Sequence, residues 1–322
     1  MSINEFKVPY GQLDTGELVK PEVADKVKRY FCPGCGCQLI FRSGSVVAPH
    51  FAHKTEGICT GESVLHKTAK ALLVQTVRSH IAQPRITIRC ACETCCETFT
   101  KLLPGKAFSD AFEEIHISKR ICDVVAFRGE GAILAIEVLV THAVDSVKAC
   151  DLAIPWIELR AVDVINDPTA WQPVQSQLKP QNCLECKALE KKLRQLQEQS
   201  QLAAYPPAKY ARPPFGPYLV AEDQCYSCKK AMPVYWWQGV PFSQQTPPDP
   251  KPKTLQFRFS RTYGGEYWMN TCVFCGASSG DNFLFLQSGA PLGHLPLVET
   301  QEIKAARSQQ TSAVIGRMLR HF

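Results

Sequence analysis

The sequence ICDVVAFRGEGAILAIEVLV, residues 121–140, decides the fold class. Two runs rich in β-branched residues flank the glycine-containing turn RGEGA at residues 128–132, and this pattern predicts a β-hairpin. Residues 143–151 are predicted to form a short helix, and PWIELRAV, residues 155–162, a third strand. A strand, a helix and a strand in this order favour an α/β core with at least one parallel strand pair.

A longer helix is predicted before this hairpin, from Glu62 to Ile81. Apolar residues recur there at intervals of three and four, and Pro84 ends the pattern. Glu62, His66 and Lys70 follow one another at intervals of four residues. These three side chains therefore share one face of the helix.

The composition is that of an ordinary globular protein, with 45% hydrophobic and 20% charged residues in 322. A net charge of +6 permits binding to a nucleic-acid backbone but does not demand it. The first twenty residues lack the basic-then-apolar pattern of a secretory leader, and no apolar run approaches membrane-spanning length. We therefore expect a cytoplasmic protein with no membrane partner, whose cysteines are kept reduced.

Ten of the sixteen cysteines occur as five CxxC pairs. The strongest metal signal joins Cys225 and Cys228 to Cys272 and Cys275, because two CxxC turns can complete a closed tetrahedral zinc site. A small unit of this kind depends on its metal to fold. The sequence therefore predicts a C-terminal zinc ribbon.

A second candidate zinc site lies near the N-terminus. Five residues compete there for four positions: Cys32, Cys35, His50, His53 and Cys59. We favour Cys32, Cys35, His53 and Cys59, and His50 remains the other candidate. The alternative is a CxxC turn beside surface histidines without a metal.

A third site is predicted from cysteines that lie far apart in the sequence. Cys92 and Cys95 sit in a crowded turn that also contains Cys90 and Cys96, where four ligands within seven residues would strain a tetrahedron. Pairing the first two with a distant CxxC avoids this strain, so the predicted ligands are Cys92, Cys95, Cys183 and Cys186. We expect Cys122 and Cys150 to be plain buried residues. Two or three structural zinc ions are predicted in total.

These patterns divide the chain into four segments. We predict N-terminal strands with a zinc finger, an α/β core, a charged helix with a proline-rich linker, and the zinc ribbon, at residues 1–60, 61–180, 181–212 and 213–322. Basic and aromatic residues alternate in the ribbon, as around Tyr235–Trp237 and Tyr267–Trp268, which suits contact with nucleic acid. The alternative is that these aromatic residues form the core of the ribbon.

Three carboxylates have positions that suggest chemistry. Asp123 and Glu137 lie on the two strands of the hairpin, and Glu62 begins the predicted helix, with His66 on the same face. Carboxylates converging from a helix and two strands make an oxygen site suited to magnesium or manganese. Such an ion can activate water and stabilise a phosphoryl transition state. The alternative is that these are ordinary edge carboxylates and a solvated helix face.

The segment FCPGCGCQLIFRSGSVVAPHFAHKTEGICTGESVLHKTAKALL, residues 31–73, carries a family resemblance. Its CPxC knuckle, HFAH segment and ESxxHxxxK helix resemble the competence-protein CoiA-like family. The similarity continues at ICDVVAF and AIEVLVTHAVDSVKACDLAIPWIEL, so that it covers residues 28–165. It implies a restriction-endonuclease core of the PD-(D/E)xK type with inserted zinc knuckles, and hence a metal-dependent phosphodiesterase.

The resemblance also implies roles for individual residues. Glu62 would be the acid of the helix, Asp123 that of the second strand and Glu137 that of the third. The family pattern has lysine or glutamine two residues after the third acid, where this sequence has Leu139. The site is therefore either inactive or uses a migrated lysine, for which we favour Lys148.

The expected function is that of a divalent-metal-dependent nuclease acting on DNA. The alternative is a catalytically inactive adaptor that binds nucleic acid. In that case the ribbon binds a protein partner.

Overall fold

The computed structural model describes residues 8–54, 59–140 and 153–299. These residues form two compact units. The first contains residues 8–54, 59–92, 96–140 and 153–181, and the second residues 93–95 and 182–299. The architecture is mixed α/β, with several separate sheets.

The first unit begins with an antiparallel sheet of short strands. Within the described residues its order is β2-β1-β3-β4-β5. Its apolar side includes Tyr30, Leu39 and Phe51, which are buried together with Val64 from the following helix. The strand bounds are Gly11–Gln12 (β1), Leu18–Val19 (β2), Tyr30–Phe31 (β3), Gln38–Arg42 (β4) and His50–His53 (β5), with a 3₁₀ turn at Pro21–Val23.

Helix α1 spans Gly61–Ala82, within one residue of the predicted ends. Thr60 caps its N-terminus, since its hydroxyl accepts a hydrogen bond from the Ser63 amide at 3.2 Å. The apolar stripe, including Leu73 and Val77, is buried against the central sheet. Burial of this stripe stabilises the helix more than residue propensity does.

The central sheet confirms the predicted hairpin and the parallel strand pair. Among the described strands its order is β13-β11-β10-β9-β8. Strands β9 and β10 are antiparallel, whereas β10 and β11 are parallel, with Ile136 opposite Ile157. The predicted helix at residues 143–151 lies outside the described residues. The strand bounds are Asp110–Ile117 (β8), Arg120–Arg128 (β9), Gly131–Leu139 (β10), Trp156–Arg160 (β11) and Gln175–Ser176 (β13).

A smaller sheet completes the first unit. Strand β6 pairs antiparallel with β7 and parallel with β12, and Trp171 on β12 is buried in the main core. A short helix, α2, connects β11 to β12. The bounds are Thr87–Ala91 (β6), Thr98–Leu102 (β7), Ala161–Asn166 (α2) and Ala170–Trp171 (β12), with a 3₁₀ turn at Gly105–Ala107.

The second unit consists of helix α3 and short antiparallel sheets. Strand β14 pairs with β15, and β17 pairs with both β16 and β18. Large aromatic side chains form its core, among them Tyr218, Tyr235 and Trp237. The bounds are Leu184–Gln199 (α3), Leu219–Gln224 (β14), Ala231–Trp236 (β15), Leu255–Ser260 (β16), Gly265–Thr271 (β17) and Ser278–Ser279 (β18), with a π-helical turn at Asn282–Leu286.

The segment expected to be a linker, residues 181–212, differs from that expectation. Leu193 on α3 and Ala208 in the proline-rich stretch are buried in the core of the second unit. The Ala208 amide donates to the Val220 carbonyl at 2.8 Å, and the Val220 amide donates to the Pro206 carbonyl at 2.9 Å. Proline removes a donor but keeps its carbonyl, so this extended stretch can still pair with the edge of β14.

No helix within the described ranges is both long and apolar enough to span a bilayer.

Candidate metal centres and carboxylate site

Four of the CxxC turns within the described residues share one backbone geometry. They begin at Cys32, Cys92, Cys225 and Cys272, whose carbonyls accept a hydrogen bond from the amide four residues later at 2.8–2.9 Å. The residue that donates this amide has a positive φ of 61–72° in each turn. Two of these positions are glycine, Gly36 and Gly276, which adopt this conformation without steric cost. The turn therefore points two sulfur atoms toward one centre.

The fifth pair, Cys183 and Cys186, uses a helix instead of a turn. Cys183 is the N-cap of α3, and its sulfur accepts a hydrogen bond from the Cys186 amide at 3.5 Å. The two cysteines thus lie in the first turn of one helix, on the same side.

The N-terminal group contains Cys32, Cys35, His53 and Cys59, whose ligand atoms lie within 4.8 Å of one another. The Cys32 and Cys59 sulfurs are 3.7 Å apart. The His53 Nε2 is 3.4 Å from the Cys35 sulfur and 3.2 Å from the Cys59 sulfur. These are the four residues that the sequence favoured.

His50 is not part of this group. Its Nδ1 lies 3.0 Å from the Ala48 carbonyl, which can only accept, so this nitrogen carries the proton. His50 and His53 are both on β5 and are three residues apart. An odd separation directs two side chains of a strand to opposite faces, which excludes His50 from the cluster that His53 joins.

The ribbon group contains Cys225, Cys228, Cys272 and Cys275. The Cys225 and Cys275 sulfurs are 3.6 Å apart, and the Cys228 and Cys272 sulfurs are 3.7 Å apart. A disulfide requires about 2.05 Å, whereas a tetrahedral zinc ion with bonds of about 2.3 Å separates its sulfur ligands by about 3.8 Å. The observed spacing therefore fits a zinc ion and not a disulfide.

The remaining group contains Cys92, Cys95, Cys183 and Cys186. The Cys95 and Cys183 sulfurs are 3.9 Å apart, again close to the edge of a zinc tetrahedron. Outside these groups, Cys122 is fully buried, as expected, and Cys150 lies outside the described residues.

The thiol pKa values show why these groups suit a cation. Burial and the neighbouring thiols raise the pKa of Cys59 to about 12. Burial does the same for Cys272, whose pKa also rises to about 12. In each of these two groups, the N-terminal group and the ribbon group, another cysteine has a lowered pKa. For Cys225 the backbone hydrogen bond from Cys228 lowers the pKa to about 6, and for Cys35 hydrogen bonds outweigh burial and give a pKa of about 6. Adjacent thiolates repel one another, and a divalent cation removes that penalty.

A different cluster forms where α1 crosses the central sheet. The Asp123 Oδ2 on β9 accepts a hydrogen bond from the Val138 amide on β10 at 2.9 Å and lies 3.1 Å from the His66 Nε2. Burial alone raises the pKa of Asp123, but the bonds from His66 and Val138 outweigh it and the pKa is lowered. Asp123 is therefore held as a carboxylate.

Lys70 lies one turn further along α1 than His66. Its side chain is 3% exposed, and its Nζ is 2.7 Å from the Glu114 Oε1 on β8. The charge of Lys70 also lowers the pKa of Asp123. A buried ammonium therefore lies close to both carboxylates.

Sequence reasoning missed Glu113 and Glu114 on β8. The pairing of Glu113 with Val124 and of Ile115 with Cys122 sets Glu114 opposite Asp123. Glu114 has a φ of 55°, a strained conformation for a residue with a side chain. Burial raises the pKa of Glu113. The only sequence signal was two adjacent acidic residues within a strand, which by itself is common.

Comparison with known proteins finds a similarity in the N-terminal part of the chain. Residues 17–62 match the model of the N-terminal domain of competence protein CoiA. This segment is similar to that domain. Competence protein CoiA from Bacillus subtilis (strain 168) is 38% identical over 63 residues, which are 18% of this chain and 17% of that protein. The match thus spans about a sixth of that relative's length, and no solved structure matches the chain.

The CoiA-type segment coincides with the first metal group. It begins just before β2 and ends in the first turn of α1, so that it contains Cys32, Cys35, His53 and Cys59. The resemblance to the CoiA-like family is therefore confirmed for this region. The carboxylate cluster on β8 and β9 lies beyond the matched residues.

The resemblance to the CoiA-like family also implied catalytic roles for Glu62, Glu137 and Lys148. Glu62 is exposed in the first turn of α1, whereas Glu137 is buried on β10 beside Glu158 of β11. Among the described residues, neither joins Asp123 in a group of three ligand atoms within 4.8 Å of one another. Lys148 lies outside the described residues.

The ribbon aromatic residues are mostly core residues. Tyr235, Trp236, Trp237 and Tyr267 are buried, which agrees with the alternative that these rings fill the interior. They therefore cannot stack on bases from their present positions.

Proposed function

We propose that this chain is a divalent-metal-dependent nuclease acting on DNA, with zinc ions that stabilise its fold. The observation that carries the proposal is the Asp123 carboxylate, held between the Val138 amide and His66 and close to the buried ammonium of Lys70. A carboxylate kept ionised beside two basic side chains on a helix is suited to binding and hydrolysing a phosphodiester.

The order of elements supports a PD-(D/E)xK core. After α1 and the small hairpin of β6 and β7 come three antiparallel strands, β8, β9 and β10, and then β11, which is parallel to β10. The family resemblance implies one acid on the second of these strands and one on the third. Asp123 and Glu137 occupy those strands.

Basic groups on α1 can provide the positive charge that a lysine at the position of Leu139 would supply. A phosphodiester brings negative charge to Asp123, and a transition state increases it. The imidazole of His66 contacts this carboxylate, and the ammonium of Lys70, which pairs with Glu114, lowers its pKa from the same helix. These two groups can orient a phosphate and stabilise its charge.

The described residues fit the proposed magnesium or manganese ion only in part. Asp123 offers an oxygen atom, which this class of ion prefers, and Glu114 lies on the adjacent strand. Within the described ranges, no group of three ligand atoms that could hold a metal ion includes Asp123. The chemistry assigned to the chain therefore rests on its own groups, Asp123, His66 and Lys70.

Zinc fits its proposed role more fully. Three groups of four thiolate or imidazole ligands within the described residues could each hold one zinc ion. All four ligands of each site come from protein, so no open position remains for a substrate. These sites would be structural.

The test measures cleavage and binding with the zinc-loaded full chain. Supercoiled plasmid, linear duplex and single-stranded DNA are incubated with magnesium or manganese. Asp123→Asn should reduce cleavage at least about 100-fold, because one charged group at the reacting phosphate is removed. Glu130→Gln, in the turn of the same hairpin, removes an exposed carboxylate and should leave cleavage unchanged.

A second candidate function is a catalytically inactive adaptor that binds nucleic acid. Leu139 and the incomplete oxygen-ligand set favour it. If the unmutated chain cuts no DNA or RNA with either ion but still binds them, the adaptor function replaces the nuclease.

A further inference from the structure

A groove on the N-terminal sheet is separate from the metal group and from the Asp123 cluster. It has a volume of about 680 Å³ and lies where the hairpin of β4 and β5 closes. Its polar and charged lining comes from Lys26, Arg42, Ser43 and His50, and its apolar lining from Phe41 and Val47.

The charged residues that line this groove are all positive. Lys26 and Arg42 are exposed cations, and none of the residues that line the groove is acidic. Arg42 and His50 are direct partners across the hairpin. The Nδ1 proton of His50 is used by the Ala48 carbonyl, which fixes the orientation of the imidazole ring.

The apolar side of the groove is rigid. The Phe41 ring packs against Phe51 and Tyr30, with centroid distances of 5.3 and 6.1 Å. Phe41 is partly buried and contributes to the lining of the groove. A positively charged groove of this size is an arrangement that binds a nucleic-acid strand, with phosphates on the cations.

We propose that this groove binds the phosphodiester backbone of a nucleic-acid strand, with Arg42 and Lys26 contacting phosphate and His50 lining the groove beside them. The proposal rests on the proposed function, because it names a place where the same substrate is held. It also explains why His50, rejected as a metal ligand, points away from the cysteines: its face of β5 belongs to the groove.

The test is a binding measurement without added magnesium or manganese, so that cleavage does not interfere. A fluorescein-labelled single-stranded 20-mer is titrated with the zinc-loaded full chain at several salt concentrations. Each phosphate contact contributes about 0.7 to the slope of log affinity against log salt for single strands. Arg42→Glu should therefore weaken binding about fivefold at 0.1 M salt and reduce the slope by about 0.7.

A second variant adds charge without removing a side chain. A Cβ at Gly44 meets nothing within 4 Å, and its φ is not positive, so Gly44→Glu should fold normally. It adds a carboxylate to the groove and should weaken binding to a similar extent. Two matched controls carry the same charge changes outside the groove. Lys28→Glu alters an exposed residue of the same sheet region, and Gly216→Glu alters an open position in the second unit.

The outcomes test this groove independently of the proposed nuclease activity. Weaker binding in both groove variants but in neither control supports the groove, whether or not the chain cleaves DNA. Equal affinities and salt slopes in groove variants and controls overturn it. Displacement of the 20-mer by equimolar inorganic pyrophosphate would also overturn it, because the groove would then bind free phosphates and not a strand.

Discussion

His66 Nε2 on α1 and Asp123 Oδ2 on β9 lie 3.1 Å apart, although 57 residues separate them in the sequence. The contact exists because α1 packs across the central sheet with the apolar side chains of its buried stripe. That packing also buries Lys70 one turn later. The helix thus carries two basic groups to a carboxylate that the backbone of β10 already holds.

Lys70 and Lys148 are the two candidates for the lysine that Leu139 replaces. Lys70→Met keeps the aliphatic stem, removes the charge and should lower cleavage about 100- to 1,000-fold while DNA binding is retained. Lys67→Met is the matched control one turn earlier on α1, where the lysine is exposed and donates to the Gly34 carbonyl. Loss of cleavage in Lys148→Ala alone, with full activity in Lys70→Met, would assign the role to the later lysine.

Elemental analysis should find three zinc ions per folded chain. Cys228→Ser should reduce this number by one, because it removes one ligand of a closed tetrahedral site, and should destabilise the second unit. Cys96→Ser changes an exposed cysteine outside the groups and should leave the zinc content unchanged. A zinc content near zero in a folded sample would contradict the metal assignment of all three groups.

The two histidines of β5 should differ in their effect on zinc. His53→Ala should release the zinc of the N-terminal group and destabilise that sheet, since Nε2 of His53 lies against two of the cysteine sulfurs. His50→Ala should keep the zinc, because its ring lies on the other face of the strand. Zinc release from chelator-treated protein, followed with a colorimetric indicator, distinguishes the two. Faster release in His50→Ala than in His53→Ala would reverse the assignment.

The stability of the second unit should depend on the burial of helix α3 in its core. Leu193 is buried in that core, so Leu193→Ala should lower the free energy of unfolding by about 2–5 kcal/mol. Leu184→Ala, on the same helix, changes an exposed leucine and should cost less than about 0.5 kcal/mol. Denaturant unfolding monitored by tryptophan fluorescence compares them. Equal effects would mean that residues 181–212 act as the linker that the sequence suggested.

Asp281 should make the stability of the second unit depend on pH. Burial raises the pKa of this fully buried carboxyl group to about 7, although the Phe242 amide donates to its Oδ2 at 2.7 Å. The folded state therefore holds the proton over a range in which the unfolded state, with a pKa near 3.8, has lost it. Stability should fall as pH rises toward about 7 and stay lower above it. The melting temperature measured between pH 6 and pH 8 should fall in the unmutated chain.

Asp281→Asn removes the titrating group and keeps an oxygen acceptor for the Phe242 amide. Its melting temperature should change less over the same pH range. The difference between the two proteins isolates Asp281 from the pH dependence of zinc binding, which both share. Parallel melting curves would show that this carboxyl group keeps the same charge in the folded and unfolded states.

The sequence by itself determined the local elements and the grouping of the metal ligands. The hairpin around residues 128–132 and helix α1 follow from hydrophobic periodicity, which depends only on neighbouring residues. The CxxC spacing likewise encodes a local turn, because its backbone hydrogen bonds close within six residues. Zinc prefers four soft ligands such as thiolate and imidazole. This requirement grouped CxxC turns that lie far apart in the sequence.

Only the tertiary structure decided which side chains meet across elements. The strand direction at β5 separates His50 from His53, and the register of β8 on β9 sets Glu114 opposite Asp123. The interior of the second unit takes in Ala208 from a stretch whose composition resembles a linker. Each outcome depends on which face of an element is buried and on how strands are paired. These are long-range choices made by packing, and residue spacing alone does not encode them.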